Sequence, residues 1–196
     1  IGSTRGVSFR VWAPNAVEVH VLGSFNFWNP ESHPLFPEGD GHWSVQVPYA
    51  LAGSQYKFRL NTPDGILERN DARAFDVTNS VGNSVVYDLN AYEWQNTDFQ
   101  RPDFDDLVIY EMHLGTFGTV PGQAGVGTLE QTTLYLDYLE DLGVNAIELM
   151  PFHEFPGEIS WGYNPAHIFT VESAYGTPDE LKDFIDEAHG RGIAVL

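Results

Sequence analysis

The chain has no cysteine, and only nine of its 196 residues are basic. Without cysteine there is neither a disulfide framework nor thiolate chemistry. Nine basic residues against 28 acidic give a formal net charge of −19. That balance excludes the basic patches that nucleic acids and anionic membranes require, so neither is expected as a partner. Lysine is the scarcer cation, present only at Lys57 and Lys182, which fits a solvated acidic surface adapted to salt. No apolar run is long enough to span a membrane. No secretory leader is visible, although the chain opens at Ile1 rather than Met, and the expected location is the cytoplasm. What is plentiful is apolar and aromatic: 42% hydrophobic and 14% aromatic residues support packed cores. The length allows one large or two small domains.

Residues 6–89 read as all-β. Val7, Phe9 and Val11 alternate with polar neighbours, as do Val17, Val19 and Val21, with the period of half-buried strands. Further strands are expected around Trp43 to Val47, Gln55 to Leu60 and Asn83 to Tyr87. Turn residues fill the gaps at Ala13-Pro14-Asn15, Pro37-Glu38-Gly39-Asp40-Gly41 and Thr62-Pro63-Asp64-Gly65. Short strands with regular turns predict a β-sandwich. After a polar link at 90–102 the pattern changes. Residues 107–114 read as a buried parallel strand, and a Gly-rich loop spans 115–127. A helix follows, with a capping box at Thr128 and Gln131 and Leu129, Leu136, Leu139 and Leu142 on one face. A second strand covers 144–150. A second helix opens with Thr177, Pro178 and Glu180 and carries an apolar stripe of Leu181, Phe184, Ile185 and Ala188. Residues 193–196 begin a third strand. Strand, loop and helix repeat as in an α/β barrel, whose ligands bind on the loops after the strands. The expected domains are therefore 1–95, a sandwich, and 96–196, the start of a barrel cut within its third strand.

Chemistry concentrates in the loop after the second strand, at Ser160-Trp161-Gly162-Tyr163-Asn164-Pro165. Flat rings beside an amide suit a sugar, whose faces stack and whose edges hydrogen-bond. On residue type alone the same rings read first as loop packing. Glu111 and Glu148 lie in successive strands. Two carboxylates about 5–5.5 Å apart can run retaining glycoside hydrolysis, yet a buried ion pair or hydrogen bond is the simpler reading for these two. His153-Glu154 starts a zinc-protease pattern, but Gly157 stands where the second histidine is needed, so no metal is implied. The 115–127 loop lacks the Lys-Ser/Thr ending of a phosphate loop.

Four stretches closely resemble the α-amylase superfamily, glycoside hydrolase family 13: residues 106–115, Glu148-Leu149-Met150-Pro151, Trp161-Gly162-Tyr163-Asn164-Pro165, and Ala174-Tyr175-Gly176-Thr177-Pro178. They look most like its branching-enzyme, isoamylase and maltooligosyltrehalose-trehalohydrolase side. Upstream, Leu22-Gly23-Ser24-Phe25-Asn26-Phe27-Trp28-Asn29-Pro30 resembles the glycogen-binding (CBM48-like) module, which is also found in the β subunit of the AMP-activated kinase. The resemblance implies an immunoglobulin-like sandwich followed by the first units of a (β/α)8 barrel. It implies a parent enzyme that hydrolyses or branches α-1,4-glucans such as glycogen or starch, without a cofactor. Tyr163 would stack on the sugar, with Trp161 and Asn164 beside it and His113 in support. In the sandwich, Trp28, Lys57 and Asn83 would bind glucan, while Ile66 and Leu67 stand where a second stacking tryptophan is missing. The family keeps its catalytic carboxylates on later strands, so this chain alone is expected to be inactive and to need the rest of the barrel. The other possibility is a non-catalytic glucan-binding protein.

Overall fold

The computed structural model describes residues 6–119, 122 and 125–196. The chain forms two compact units, one ending at Asp88 and the next beginning at Leu89. The Gly-rich 115–127 stretch lies partly outside the described residues, at 120, 121, 123 and 124, as do 1–5 of the first expected domain.

The first unit holds β1 (Val7–Trp12), β2 (Glu18–Gly23), β3 (Phe36–Gly39), β4 (His42–Val47), β5 (Gln55–Thr62), β6 (Gly65–Arg69), β7 (Asp76–Val77) and β8 (Ser84–Val85). One sheet runs β1-β4-β3; the other runs β2-β5-β8-β7, with β6 also paired to β5. Phe9 and Val47 from the first sheet share a buried cluster with Val19, Val21, Tyr56 and Phe58 from the second. The sheets therefore face each other across one core, as alternating strands require. Phe9 and Tyr56 meet edge-on, with ring centroids 4.9 Å apart. The Pro37-to-Gly41 stretch is more than a gap. It forms edge strand β3 and the turn into β4, where Gly39, Asp40 and Gly41 take φ of 99°, 50° and 77°. Proline is tolerated there because an edge strand leaves its N–H side unpaired.

The second unit holds β9 (Ile109–Met112), α1 (Leu114–Phe117), α2 (Leu129–Thr133), α3 (Leu136–Asp141), β10 (Ala146–Leu149), β11 (His153–Glu154), β12 (His167–Val171), α4 (Pro178–Gly190) and β13 (Ala194–Val195). Strands β9, β10 and β13 are parallel neighbours in chain order. Sequential parallel neighbours joined by helices are the pattern of successive barrel units. Met112, Ile147 and Leu149 point to a core shared with Leu129, Leu136, Leu139, Phe184 and Ala188.

Two expectations need correction. The apolar 107–114 run is not one strand: Leu114, 1% exposed, already belongs to α1, while Val108 and Ile109 are half-exposed. Periodicity cannot separate a buried strand from a buried helical turn. The helix from 129 to 142 is two pieces, because Tyr135 leaves helical geometry (φ −100°, ψ 3°) and shifts the phase. Leu142, read as part of the buried stripe, is 57% exposed. The 90–102 link is tied to α4. Asp186 on α4 accepts the backbone N–H groups of Gln95 (2.8 Å) and Asn96 (2.9 Å), and Tyr92 donates to Asp183 (2.9 Å). Helix α4 itself starts as its sequence dictates. Thr177 Oγ1 accepts from Glu180 N at 3.2 Å while the Glu180 carboxylate accepts from Thr177 N. A cap of this kind contributes about 1 kcal/mol. No helix among the described residues is long and apolar enough to cross a membrane.

Candidate functional site

Strands β9 and β10 end side by side, with Met150 N donating to Met112 O at 2.9 Å. The chain then leaves β10 through Pro151 and makes the β11–β12 hairpin, whose long excursion contains residues 160–164. Two buried carboxylates hold its base. Glu172 accepts from Phe155 N (3.0 Å) and Ala174 N (3.1 Å), and Glu154 accepts from Ser173 N (2.8 Å). Burial pushes the Glu172 carboxyl above its ordinary value, against the pull of those two N–H groups, and the charge of Glu154 adds to the rise.

The excursion is pressed onto the strand ends. Gly162 takes φ +85°, and a Cβ there would lie 1.8 Å from the Pro151 carbonyl oxygen. Only glycine fits both the backbone angle and the approach. Ser160 Oγ accepts from Gly162 N at 3.1 Å and donates to Asn164 Oδ1 at 2.5 Å, closing the loop on itself. His113, one residue past β9, reaches Ser160 O with Nε2 at 2.8 Å. A carbonyl only accepts, so Nε2 carries the proton. The Tyr175 hydroxyl lies 3.3 Å from the same nitrogen and 3.5 Å from Ser160 O. Burial, with the charge of Glu172, pushes the Tyr175 hydroxyl up to about 12, so it stays a donor. Tyr175 in turn packs on Phe155.

The outcome is a braced loop with its rings outward: Trp161 is 75% and Tyr163 68% exposed. They do not pack the loop; Gly162 and Ser160 do that. Trp161, Tyr163 and Asn164 share this loop, and His113 touches it through Ser160. Glu111 and Glu148 are in-register neighbours on β9 and β10. Both are exposed, and neither carboxylate has an ion pair or hydrogen bond among the described residues, so the expected buried partner is absent. They lie on the sheet face opposite the helices, where no neighbouring side chain encloses them. Tyr175, Glu172 and Phe155 were not picked from sequence, and Glu154 stood out only as half of a zinc pattern. Tyr175 stood inside the 174–178 motif; the burial of the two glutamates had no signal, because acidic residues are ordinarily read as surface.

The sandwich residues lie in the other unit. Trp28 follows β2 with φ +59°, its N–H on Gly23 O at 2.9 Å, and is 37% exposed. Lys57 on β5 pairs with Leu22 on β2, and Asn83 donates to the Gln55 amide oxygen at 2.9 Å. These pairings bring Trp28, Lys57 and Asn83 to the same stretch of the five-stranded sheet. Ile66 and Leu67 on β6 offer exposed aliphatic surface only. The turn bearing Trp28 is built by Asn26, which accepts from Gly23 N (2.8 Å) and donates to Val21 O (3.1 Å) and His33 Nδ1 (2.9 Å). Burial holds His33 below its ordinary pKa.

A two-sheet sandwich followed by sequential parallel βα units, with exposed aromatics on a strand-end loop, defines a module appended to a barrel-type domain. Residues 2–77 match carbohydrate-binding module 48, the isoamylase N-terminal domain, and residues 76–196 match the α-amylase catalytic domain. The chain belongs to the α-amylase family. It is 38% identical to a 1,4-alpha-glucan branching enzyme GlgB of Bacillus caldolyticus, covering 100% of this chain and 31% of that protein. With the Rhodospirillum rubrum enzyme of the same name it is 35% identical, covering 98% and 27%. Among solved structures, the putative α-amylase from Salmonella typhimurium superposes with a TM-score of 0.86 at 36% identity, covering 100% of this chain and 31% of that one. A pullulanase from Bacillus acidopullulyticus gives 0.83 at 26%, covering 100% and 28%. The chain thus spans about three-tenths of the length of these relatives.

Proposed function

We propose that the chain is the N-terminal part of an α-glucan-active enzyme working in the cytoplasm, and that the enzyme's reaction is branching. The branching-enzyme relatives, alignable over nearly all of this chain, support that choice over hydrolysis. In this reading β9, β10 and β13 are the first three strands of a (β/α)8 barrel. Parallel sheets are ordinarily covered on both faces, and the face bearing Glu111 and Glu148 is the one further strands would cover.

The chemistry is double displacement. A carboxylate attacks the anomeric carbon while an acid protonates the departing glycosidic oxygen; a glucan 6-hydroxyl then displaces the carboxylate, its proton passing to the conjugate base of that acid, and two inversions retain configuration. Both catalytic carboxylates belong to the remainder of the barrel, so this chain alone is inactive. Tyr163 stacks on the sugar ring at the bond being broken, Trp161 and Asn164 border it, and His113 positions the loop through Ser160. Trp28, Lys57 and Asn83 hold glucan on the sandwich. No cofactor takes part.

The observation that carries the proposal is the braced 160–164 loop, with Gly162 against Pro151 and the Trp161 and Tyr163 rings in solvent. The test is to incubate the full-length protein with amylose and follow iodine colour and reducing ends together. Branching lowers the colour with no rise in reducing ends. A rise in reducing ends would make the enzyme a hydrolase, and no change in either would refute an α-glucan-active enzyme.

A further inference from the structure

The first unit has a cavity of about 520 Å³ that neither the Trp28 region nor the 160–164 loop uses. Arg10, Trp12, His42, Asp71 and Arg73 line it. Its size falls within the roughly 300–1,000 Å³ of ligand pockets. Trp12 and His42 are cross-strand partners on β1 and β4. Their neighbours Val11 and Trp43 pack on the sandwich core, so Trp12 and His42 point outward from it.

The walls are fixed before any ligand arrives. The Trp12 indole N–H donates to Asp40 O at 3.1 Å, which pins the ring by its edge, and the side chain is 64% exposed. Arg10 Nε is held by Glu38 at 2.7 Å. Asp71 accepts from the Tyr56 hydroxyl and from Arg73 N, each at 2.8 Å. The Arg73 guanidinium is exposed and has no partner among the described residues. A pinned aromatic face with a free guanidinium at its side is a platform for stacking and edge hydrogen bonds.

The charge around it selects the ligand. Two cations, Arg10 and Arg73, stand with three carboxylates, Glu38, Asp40 and Asp71, in a chain of net charge −19. An anion gains nothing from that surface, whereas a neutral polyhydroxylated ring loses nothing. All of these residues fall within the 2–77 match to a carbohydrate-binding module. We propose that this cavity is a second glucan site of the module, taking glucose units of an α-1,4-linked chain on the Trp12 face. Arg10, Trp12 and His42 come from the β1-β4-β3 sheet and Asp71 and Arg73 from the β6–β7 connection, and none of Trp28, Lys57 and Asn83 lines the cavity. This rests on the α-glucan reading above, and its test separates the two.

The experiment labels the full-length protein with 5-fluorotryptophan, assigns the Trp12 resonance through Trp12→Phe, and titrates maltoheptaose by ¹⁹F NMR. The Trp12 resonance should shift and saturate. Arg73→Ala should raise the maltoheptaose concentration for half-saturation at Trp12 at least about fivefold, with the Trp28 titration unchanged. If Trp28 or Trp161 shifts and Trp12 does not, this cavity is no glucan site and the α-glucan reading stands. If no tryptophan responds, both fall. If inorganic phosphate moves Trp12 and maltoheptaose does not, the cavity takes an anion and the proposal is overturned.

Discussion

Replacing Gly162 with alanine is the sharpest way to disturb the loop without touching its rings. Leaving the loop in place would put a Cβ 1.8 Å from Pro151 O and 2.6 Å from Pro151 C, on a residue at φ +85°. The left-handed conformation costs a non-glycine residue about 1–2 kcal/mol. Overpacking against a backbone carbonyl costs about 1–3 kcal/mol more. The anchor holding the loop down is weaker: the His113 to Ser160 O hydrogen bond contributes about 0.5–1.5 kcal/mol, and the longer Tyr175 to Ser160 O bond at 3.5 Å less than that. The Ser160–Gly162 and Ser160–Asn164 bonds are internal to the loop and travel with it. Strain exceeds the anchor, so the loop moves instead of the protein unfolding. Stability should then fall by roughly the anchor's worth, a few degrees of melting temperature for a domain of this size. Activity should fall far more, because a displacement of about 1 Å at a positioning residue can cost on the order of 100-fold in rate. In the full-length enzyme, Gly162→Ala should lower kcat/KM on amylose about 100-fold and Tm by a few degrees. Parental activity and Tm together would refute the claim that the loop is braced. Gross unfolding would show that it belongs to the core.

Removing one ring should act more narrowly. Tyr163→Ala in the full-length enzyme should slow turnover roughly ten- to hundredfold, about 1–3 kcal/mol, with Tm almost unchanged in a thermal melt because the ring is exposed. His33 should make the Trp28 turn sensitive to acid. Asn26 donates to Nδ1, and Nε2 donates to the Tyr49 hydroxyl, so the ring must be neutral there. Its lowered pKa means that its contribution is fully present above about 6.5 and is lost as pH falls through the folded value. Hydrogen exchange at residues 24–33 should rise over that window, and His33→Gln should remove the step. Asp186→Ala should strand the Gln95 and Asn96 N–H groups, cost about 2–3 kcal/mol in urea unfolding, and open residues 92–96 to protease. Backbone hydrogen bonds hold the Asp186 carboxyl below its ordinary value even though burial opposes ionisation. Its contribution is therefore present above about 3.9 and fades as pH falls below that.

Local chemistry made much of the fold legible. Alternation at Val7, Phe9 and Val11 marked β1, and Thr177-Pro178-Asp179-Glu180 marked the start of α4, because each signal is complete within a few residues. What escaped depended on distant partners. Edge strand β3 was hidden by its proline and glycines. The break at Tyr135 leaves an apolar pattern unchanged while turning Leu142 to solvent. The β11–β12 hairpin rests on buried Glu154 and Glu172, and acidic residues carry no sequence mark of burial. At the site, Trp161, Tyr163 and Asn164 stood out by residue type and motif. Gly162 and Tyr175, which fix the loop, act through close approach and a long-range hydrogen bond to His113 and Ser160, and neither is encoded in spacing.

In the proposed function the 160–164 loop presents Tyr163 to a glucose ring in an α-glucan-active enzyme. A crystal structure of the full-length protein with bound maltoheptaose tests it most directly. The expected result is a glucose unit lying flat on Tyr163 at van der Waals distance, about 3.5–4 Å, with the Gly162–Pro151 contact intact. A Tyr163 ring packed against protein, with sugar bound elsewhere in the cleft, would contradict it.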